Sequence, residues 1–268
     1  MKRLFCCLTA AVLMLGVSAC AATAPVMPDA SPDVEPVVTE APRSAEGTGA
    51  RGEVIDFNDR VLEGLVRETM NQPTGDITAA DALGVTVLDF QMQGVDPDQP
   101  YIHSLDALKY FTNLTYLGLG FAVQNEQDPD APIDISPLAE MTKLTSLQLG
   151  GLVIDDLSVV ANMPNLESLT LFGGNRLTDL SPVAGLSKLT ALTLRGNQIS
   201  DISPLEGLTN LAYLDLQDNR IADVSPIAGL TNLTRLFIDG NPISNVSALA
   251  EVRSDLEEWD FETTRQPG

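Results

Sequence analysis

The stretch "GNQISDISPLEGLTNL" occupies residues 196–211, and "DNRIADVSPIAGLTNL" occupies residues 218–233. Aligned, the two share Asn, Ile, Asp, Ser-Pro and Gly-Leu-Thr-Asn-Leu at the same places. Leu189, Leu211 and Leu233 each open a copy at an interval of 22 residues. In the copy from Leu211 the apolar residues that follow are Leu214, Leu216, Ile221, Val224, Ile227 and Leu230, and the other copies keep the same offsets. A period of this length marks a stacked array: one unit cannot bury its apolar side chains alone, but neighbouring units bury them together.

Each part of the unit has its own physical reading. "LAYLDL" (211–216) alternates as a half-buried strand should. Asn219 follows where the chain must turn, and its short amide can bond backbone groups that lack a ladder partner. Ser136-Pro137, Ser181-Pro182, Ser203-Pro204 and Ser225-Pro226 then start short helical turns. Serine suits the N-cap and proline the first helical position.

The pattern L-x-x-L-x-L-x-x-N-x-I resembles the leucine-rich repeat, and the tail D-I-S-P-L-x-x-L-T-N-L is most similar to the 22-residue class of bacterial internalins. The resemblance implies an α/β solenoid with parallel β-strands on a concave face, short 3-10 or helical turns on the convex face, and a small α-helical N-terminal cap. Copies also open at Leu166 (one residue longer), Leu144 (with Leu152 in the asparagine slot) and Leu114 (with about eight residues inserted around "QNEQDPDA"). "VTVLDF" (85–90) reads as a divergent first strand and "IHSLDALKYFTNL" (102–114) as its return. "LEEWDF" (256–261) reads as the last strand, with Trp259 and Phe261 in leucine slots. About eight strands in one solenoid, residues 85–268, are expected.

Residues 53–84 read as the cap. Val61, Leu62, Leu65, Val66 and Met70 share a helical face, with Asn58 as N-cap and Phe57 placed to staple onto Leu62. A second short helix is expected to start at Thr78 and stop near Gly84. At the other end, Glu257, Glu258 and Asp260 are expected to guard the sheet edge with charge. No following immunoglobulin-like module is expected, in which the chain departs from the internalins.

Residues 1–19 have the form of a secretory signal: Lys2 and Arg3 precede an apolar run that ends in "VSAC" (17–20). This matches the lipobox of bacterial lipoproteins, and the resemblance implies that Cys20 becomes the lipidated mature N-terminus. Cys6 and Cys7 leave with the signal, so no disulfide is expected. Residues 20–52, rich in Pro, Ala and acidic residues without apolar periodicity, read as a disordered tether. The expected location is the extracytoplasmic face of the cell membrane, reached through the N-terminal lipid only.

The formal net charge of −22 argues against nucleic acid and against a domain lying on anionic lipid. Chemistry finds little support. The single histidine, His103, reads as a surface residue and rules out a histidine-based metal cluster. Asp156, Asp179, Asp201 and Asp223 recur before the Ser-Pro turns and read as turn-capping groups. Asp128, Asp130 and Asp134 are of the calcium-binding type but lack EF-hand spacing. Asn113 and Asn232 match a glycosylation acceptor, here read as repeat grammar. The expectation is a monomeric non-enzyme with no catalytic residue, metal or cofactor.

Binding is better supported, because a solenoid exposes a whole face of parallel strands. Beyond Tyr116, the outward positions of the N-terminal half are small and bland, among them Ser146, Gln148 and Ser168. The C-terminal half gathers Phe172, Arg195, Tyr213, Asp215, Arg235 and Phe237, a composition typical of binding hot spots. Cross-strand stacking of Tyr213 and Arg235 would also account for part of it. Two functions stay open: a surface protein that binds another protein or surface macromolecule, or a structural protein that organises envelope components without a discrete receptor.

Overall fold

The computed structural model describes residues 52–90, 101–120, 122–123, 128, 131–173, 176–244, 246–250 and 252–261, all within the compact unit 48–268. The expected signal, tether and Cys20 lie outside the described residues, apart from Gly52. The unit begins with helix α1 (Arg60–Thr69) and a single-turn helix α2 (Ala79–Ala82). Among the described residues eight short strands follow: β1 (Val87–Asp89), β2 (Tyr116–Gly118), β3 (Ser146–Gln148), β4 (Ser168–Thr170), β5 (Ala191–Thr193), β6 (Tyr213–Asp215), β7 (Arg235–Phe237) and β8 (Glu258–Trp259). They form one parallel sheet in chain order, and each connection carries a 3-10 turn such as Ser203–Leu205 or Ser225–Gly229. This is the solenoid that the period implies.

Register explains why the leucines recur so rigidly. Leu88, Leu117, Leu147, Leu169, Leu192, Leu214 and Leu236 are successive partners across the sheet and are fully buried. One continuous core runs from Ile55 in the cap to Leu256, as stacking of units that cannot fold alone requires. Leu152, in place of an asparagine, is buried in the same core, so the irregular N-terminal copies keep the architecture.

Two hydrogen-bond ladders lock the coils. The turn asparagines Asn197, Asn219 and Asn241 each donate through Nδ2 to strand-end carbonyls of their own and the preceding coil, and accept a backbone N–H of the preceding coil. Asn113, Asn165, Asn210 and Asn232 form the second: Asn113 donates to the Leu83 carbonyl of the cap, and each of the others to a carbonyl of the coil before. The Asn-Leu-Thr sequences are therefore part of the stacking, as expected.

Two expectations need correction. The turn serines are not N-caps: Ser181, Ser203 and Ser225 are the first residues of their 3-10 turns, with proline next. The capping group is the aspartate two residues earlier, which accepts the serine N–H at 2.8–2.9 Å. These bonds hold the carboxyls of Asp179, Asp201 and Asp223 below the usual value. The N-cap of α1 is Asp59 rather than Asn58, whose φ of 50° is left-handed. Asp59 Oδ1 accepts from Val61 and Leu62, while Oδ2 accepts the N–H groups of His103 and Ser104. One buried carboxylate thus starts the helix and welds the cap to the first coil. Thr78 caps α2 as expected, in a capping box with Asp81. Trp259 takes the leucine slot of β8, in register with Leu236, as expected, and there it is 41% exposed.

Candidate binding face

Strand alternation decides which side chains leave the sheet. In β6, Tyr213 and Asp215 flank the inward Leu214; in β7, Arg235 and Phe237 flank Leu236. Parallel pairing sets Tyr213 beside Arg235 and Asp215 beside Phe237. The rings of Tyr213 and Phe237 meet on the diagonal, with centroids 5.7 Å apart and planes inclined at 49°, a geometry in which aromatic quadrupoles attract. Both remain partly exposed and form a shelf on the concave face.

The flanking charges are already engaged. Arg235 Nε lies 3.5 Å from Glu258 Oε2 on β8, and Arg195 Nε donates to Asp218 Oδ2 at 3.2 Å. Tyr213 and Arg235 are sheet neighbours, as the stacking reading requires, but the ring contact of Tyr213 is with Phe237.

Two of the expected residues behave differently. Asp215 is only 8% exposed, not a marginal surface group. Its Oδ1 accepts the Gln217 N–H at 3.0 Å, and burial pushes its carboxyl above the usual value against the opposing effect of that bond and of Arg195. Burial also pushes the Tyr213 hydroxyl up, helped by the charges of Asp215 and Glu258. Phe172 stands apart: its ring covers Gly150 of the preceding coil so closely that a Cβ there would come within 2.5 Å of it. It leans toward β3 and away from the shelf.

Asp134 turns onto Ser136, and Asp130 lies outside the described residues. Among the described residues no group of three or more His, Cys, Asp or Glu is placed to hold a metal ion.

Residues 164–207 and 209–251 match the model of paired leucine-rich repeats. The solenoid is a leucine-rich-repeat solenoid. Its structure is similar to internalin C2 of Listeria monocytogenes, with 27% identity over 80% of this chain and 100% of that chain and a TM-score of 0.57. A leucine-rich-repeat protein of Leptospira interrogans is 24% identical over 58% of this chain and 45% of its own, with a TM-score of 0.45. The leucine-rich-repeat ectodomain of the plant membrane receptor kinase GASSHO1/SCHENGEN3 from Arabidopsis thaliana, in complex with CASPARIAN STRIP INTEGRITY FACTOR 2, is 18% identical. That match covers 69% of this chain and 22% of that one, with a TM-score of 0.50. No curated protein matches the chain.

Within the leucine-rich repeats, one residue of the face escapes a reading based on outward columns. The position after the strand is Gly151, Gly173, Gly196 and Gly240 in four copies, all with φ between 72° and 90°. In the copy from Leu211 it is Asp218, also left-handed at φ 54°. A side chain there is strained, though aspartate tolerates it better than most. Its carboxylate grips Arg195 and packs over Gly240. The signal was visible in the first letters of the two quoted copies, Gly196 against Asp218. Asp260 is a second case. It does not merely repel at the edge: Oδ1 accepts the Ile238 N–H, and Oδ2 accepts the Asp239 N–H and Gln217 Nε2.

Proposed function

We propose that this protein is a lipid-anchored cell-surface protein that binds a protein partner through the C-terminal half of its concave sheet, without catalysis. The observation that carries the reading is the Tyr213–Phe237 shelf bordered by Arg195 and Arg235. Aromatic and arginine side chains at the middle of a face supply most of the energy in protein interfaces. Neither ring is needed for the core, since Leu214 and Leu236 supply the burial beneath. Leucine-rich-repeat proteins mediate protein–protein binding, and the Arabidopsis ectodomain of this fold is in complex with CASPARIAN STRIP INTEGRITY FACTOR 2. The surface location rests on the lipobox-like "VSAC" ending at Cys20, and a tether of about thirty residues could extend roughly 100 Å at about 3.1 Å per residue.

The test is capture by the full chain of partners from two fractions: cell-surface proteins and protein-depleted wall material. Phe237→Ala with Arg235→Ala should weaken capture of the protein more than tenfold while leaving the melting temperature within a few degrees. Ser146→Ala with Gln148→Ala, on the other half of the same face, should change little. Capture of wall material alone would contradict the proposal and favour an envelope-organising role.

A further inference from the structure

The shelf is anionic even though two arginines border it. Arg195 and Arg235 each lie against a carboxylate of their own chain, Asp218 and Glu258. With those two pairs set aside, Asp215, Asp239 and Asp260 leave this end of the face negative, on a chain of formal net charge −22.

Asp215 is the most telling of the three. It is the register partner of Phe237 and lies two residues along β6 from Tyr213. It is more than nine-tenths buried, yet among the described residues its carboxylate takes a single hydrogen bond, from the Gln217 N–H, and no ion pair. An ionised carboxylate can accept about four hydrogen bonds. Desolvating one with a single donor is unfavourable unless a positive group completes it. Nothing in the repeat demands an acid there: the aligned residues are Thr193 in β5 and Phe237 in β7.

We propose that this face takes a cationic segment of the protein partner, with a lysine or arginine stem lying along the Tyr213–Phe237 rings and its charged head reaching Asp215. The inference rests on the concave-face reading above and adds the chemistry of the partner. Each part has a physical reason. A cation over aromatic faces is attracted by their quadrupoles. The head supplies the donors that Asp215 lacks. The surplus of carboxylates steers a basic segment inward and repels acidic ones. Burial already pushes the Asp215 carboxyl up, as expected of a group that is completed only on binding.

The experiment uses the full chain and two fluorescent peptides of equal length, one alternating arginine and serine, the other glutamate and serine. Binding is followed by anisotropy at low and at physiological salt. The arginine peptide should bind and the glutamate peptide should not. Asp215→Asn and Phe237→Ala should each weaken binding about tenfold or more. Glu206→Gln, an exposed acid on the opposite face beside the turn Ser203–Leu205, should stay within twofold. Melting curves show that each variant is folded; if Asp215→Asn is not, Phe237→Ala carries the comparison. Equal binding by all three variants would mean that the overall acidity of the chain holds the peptide, and the inference falls. No arginine-peptide binding, while surface-protein capture still depends on Phe237 and Arg235, would overturn the cationic partner and leave the binding face standing. Capture that is also insensitive to those residues would overturn both.

Discussion

Asn219→Ala removes a side chain that is 7% exposed and bridges two coils. Its Nδ2 donates to the Leu216 and Gln217 carbonyls at 3.0 Å and to the Leu194 carbonyl of the preceding coil at 2.9 Å; its Oδ1 accepts the Ile199 N–H at 3.1 Å. These partners do not lose equally. The Leu194 carbonyl keeps Asn197 Nδ2, the Leu216 carbonyl keeps Asn241 Nδ2, and the Gln217 carbonyl keeps the Gly196 N–H. The Ile199 N–H, with one hydrogen to give, has no second acceptor and is stranded in the core. The expected loss is therefore that of one buried unsatisfied donor, about 1–3 kcal/mol. Emptying an inward strand position, as in Leu214→Ala, should cost more, about 2–5 kcal/mol. Denaturant midpoints measure both against Thr209→Ala, whose exposed side chain is not needed because Asn232 bonds the Thr209 carbonyl. Hydrogen exchange at Ile199 gives the local reading. An Asn219→Ala variant no less stable than Thr209→Ala, or an Ile199 amide exchanging no faster than in the parent, would show that the asparagine ladder does not hold the coils.

Other outcomes follow from single residues. Cys20→Ser should move the protein from the membrane fraction to the medium or leave it unprocessed, as cell fractionation and gel migration will show; unchanged behaviour would defeat the lipoprotein reading. Asp218→Gly relieves a left-handed aspartate but releases Arg195, so the melting temperature should hold or rise while partner capture weakens. A fall in both would assign Asp218 to stability alone. Asp215 and the turn aspartates should act oppositely on acid stability. For Asp179, Asp201 and Asp223 the folded carboxyl is below its usual value of 3.8, so their contribution is present above that value and is lost as pH falls. For Asp215 it is raised, so the folded state is penalised as pH rises past 3.8. Asp215→Asn should thus match the parent in strong acid and become the more stable of the two as pH rises. A difference that does not vary with pH would count against a buried, underbonded carboxylate.

Much of this architecture is legible from the repeat because the same contacts recur at every coil. Leu192, Leu214 and Leu236 must be inward in any register that keeps the period, and the asparagine column must face the strand ends it bonds. The charged and capping residues are harder to read, because their roles depend on contacts distant in sequence. Asn58 and Asp59 are both good caps by type; the N–H groups of His103 and Ser104 decide for Asp59. Arg235 looks like an available cation until β8 brings Glu258 beside it. The outward column also contains Asp215, and only the packing of the neighbouring coils makes it a buried acid. Phe172 shares the column chemistry of the shelf, but Gly150 offers its ring a seat on the other side. Repetition thus reveals the frame, while the places where one copy breaks the repeat, such as Asp218, mark what the frame carries.

If the C-terminal half of the concave sheet is the binding face, a partner must cover it. Oxidative footprinting of the full chain, alone and with its captured protein partner, tests it by reading two tyrosines in the same outward column, Tyr116 on β2 and Tyr213 on β6. The partner should lower oxidation of Tyr213 several-fold and leave Tyr116 unchanged. Protection of Tyr116 with Tyr213 unaffected would contradict this assignment.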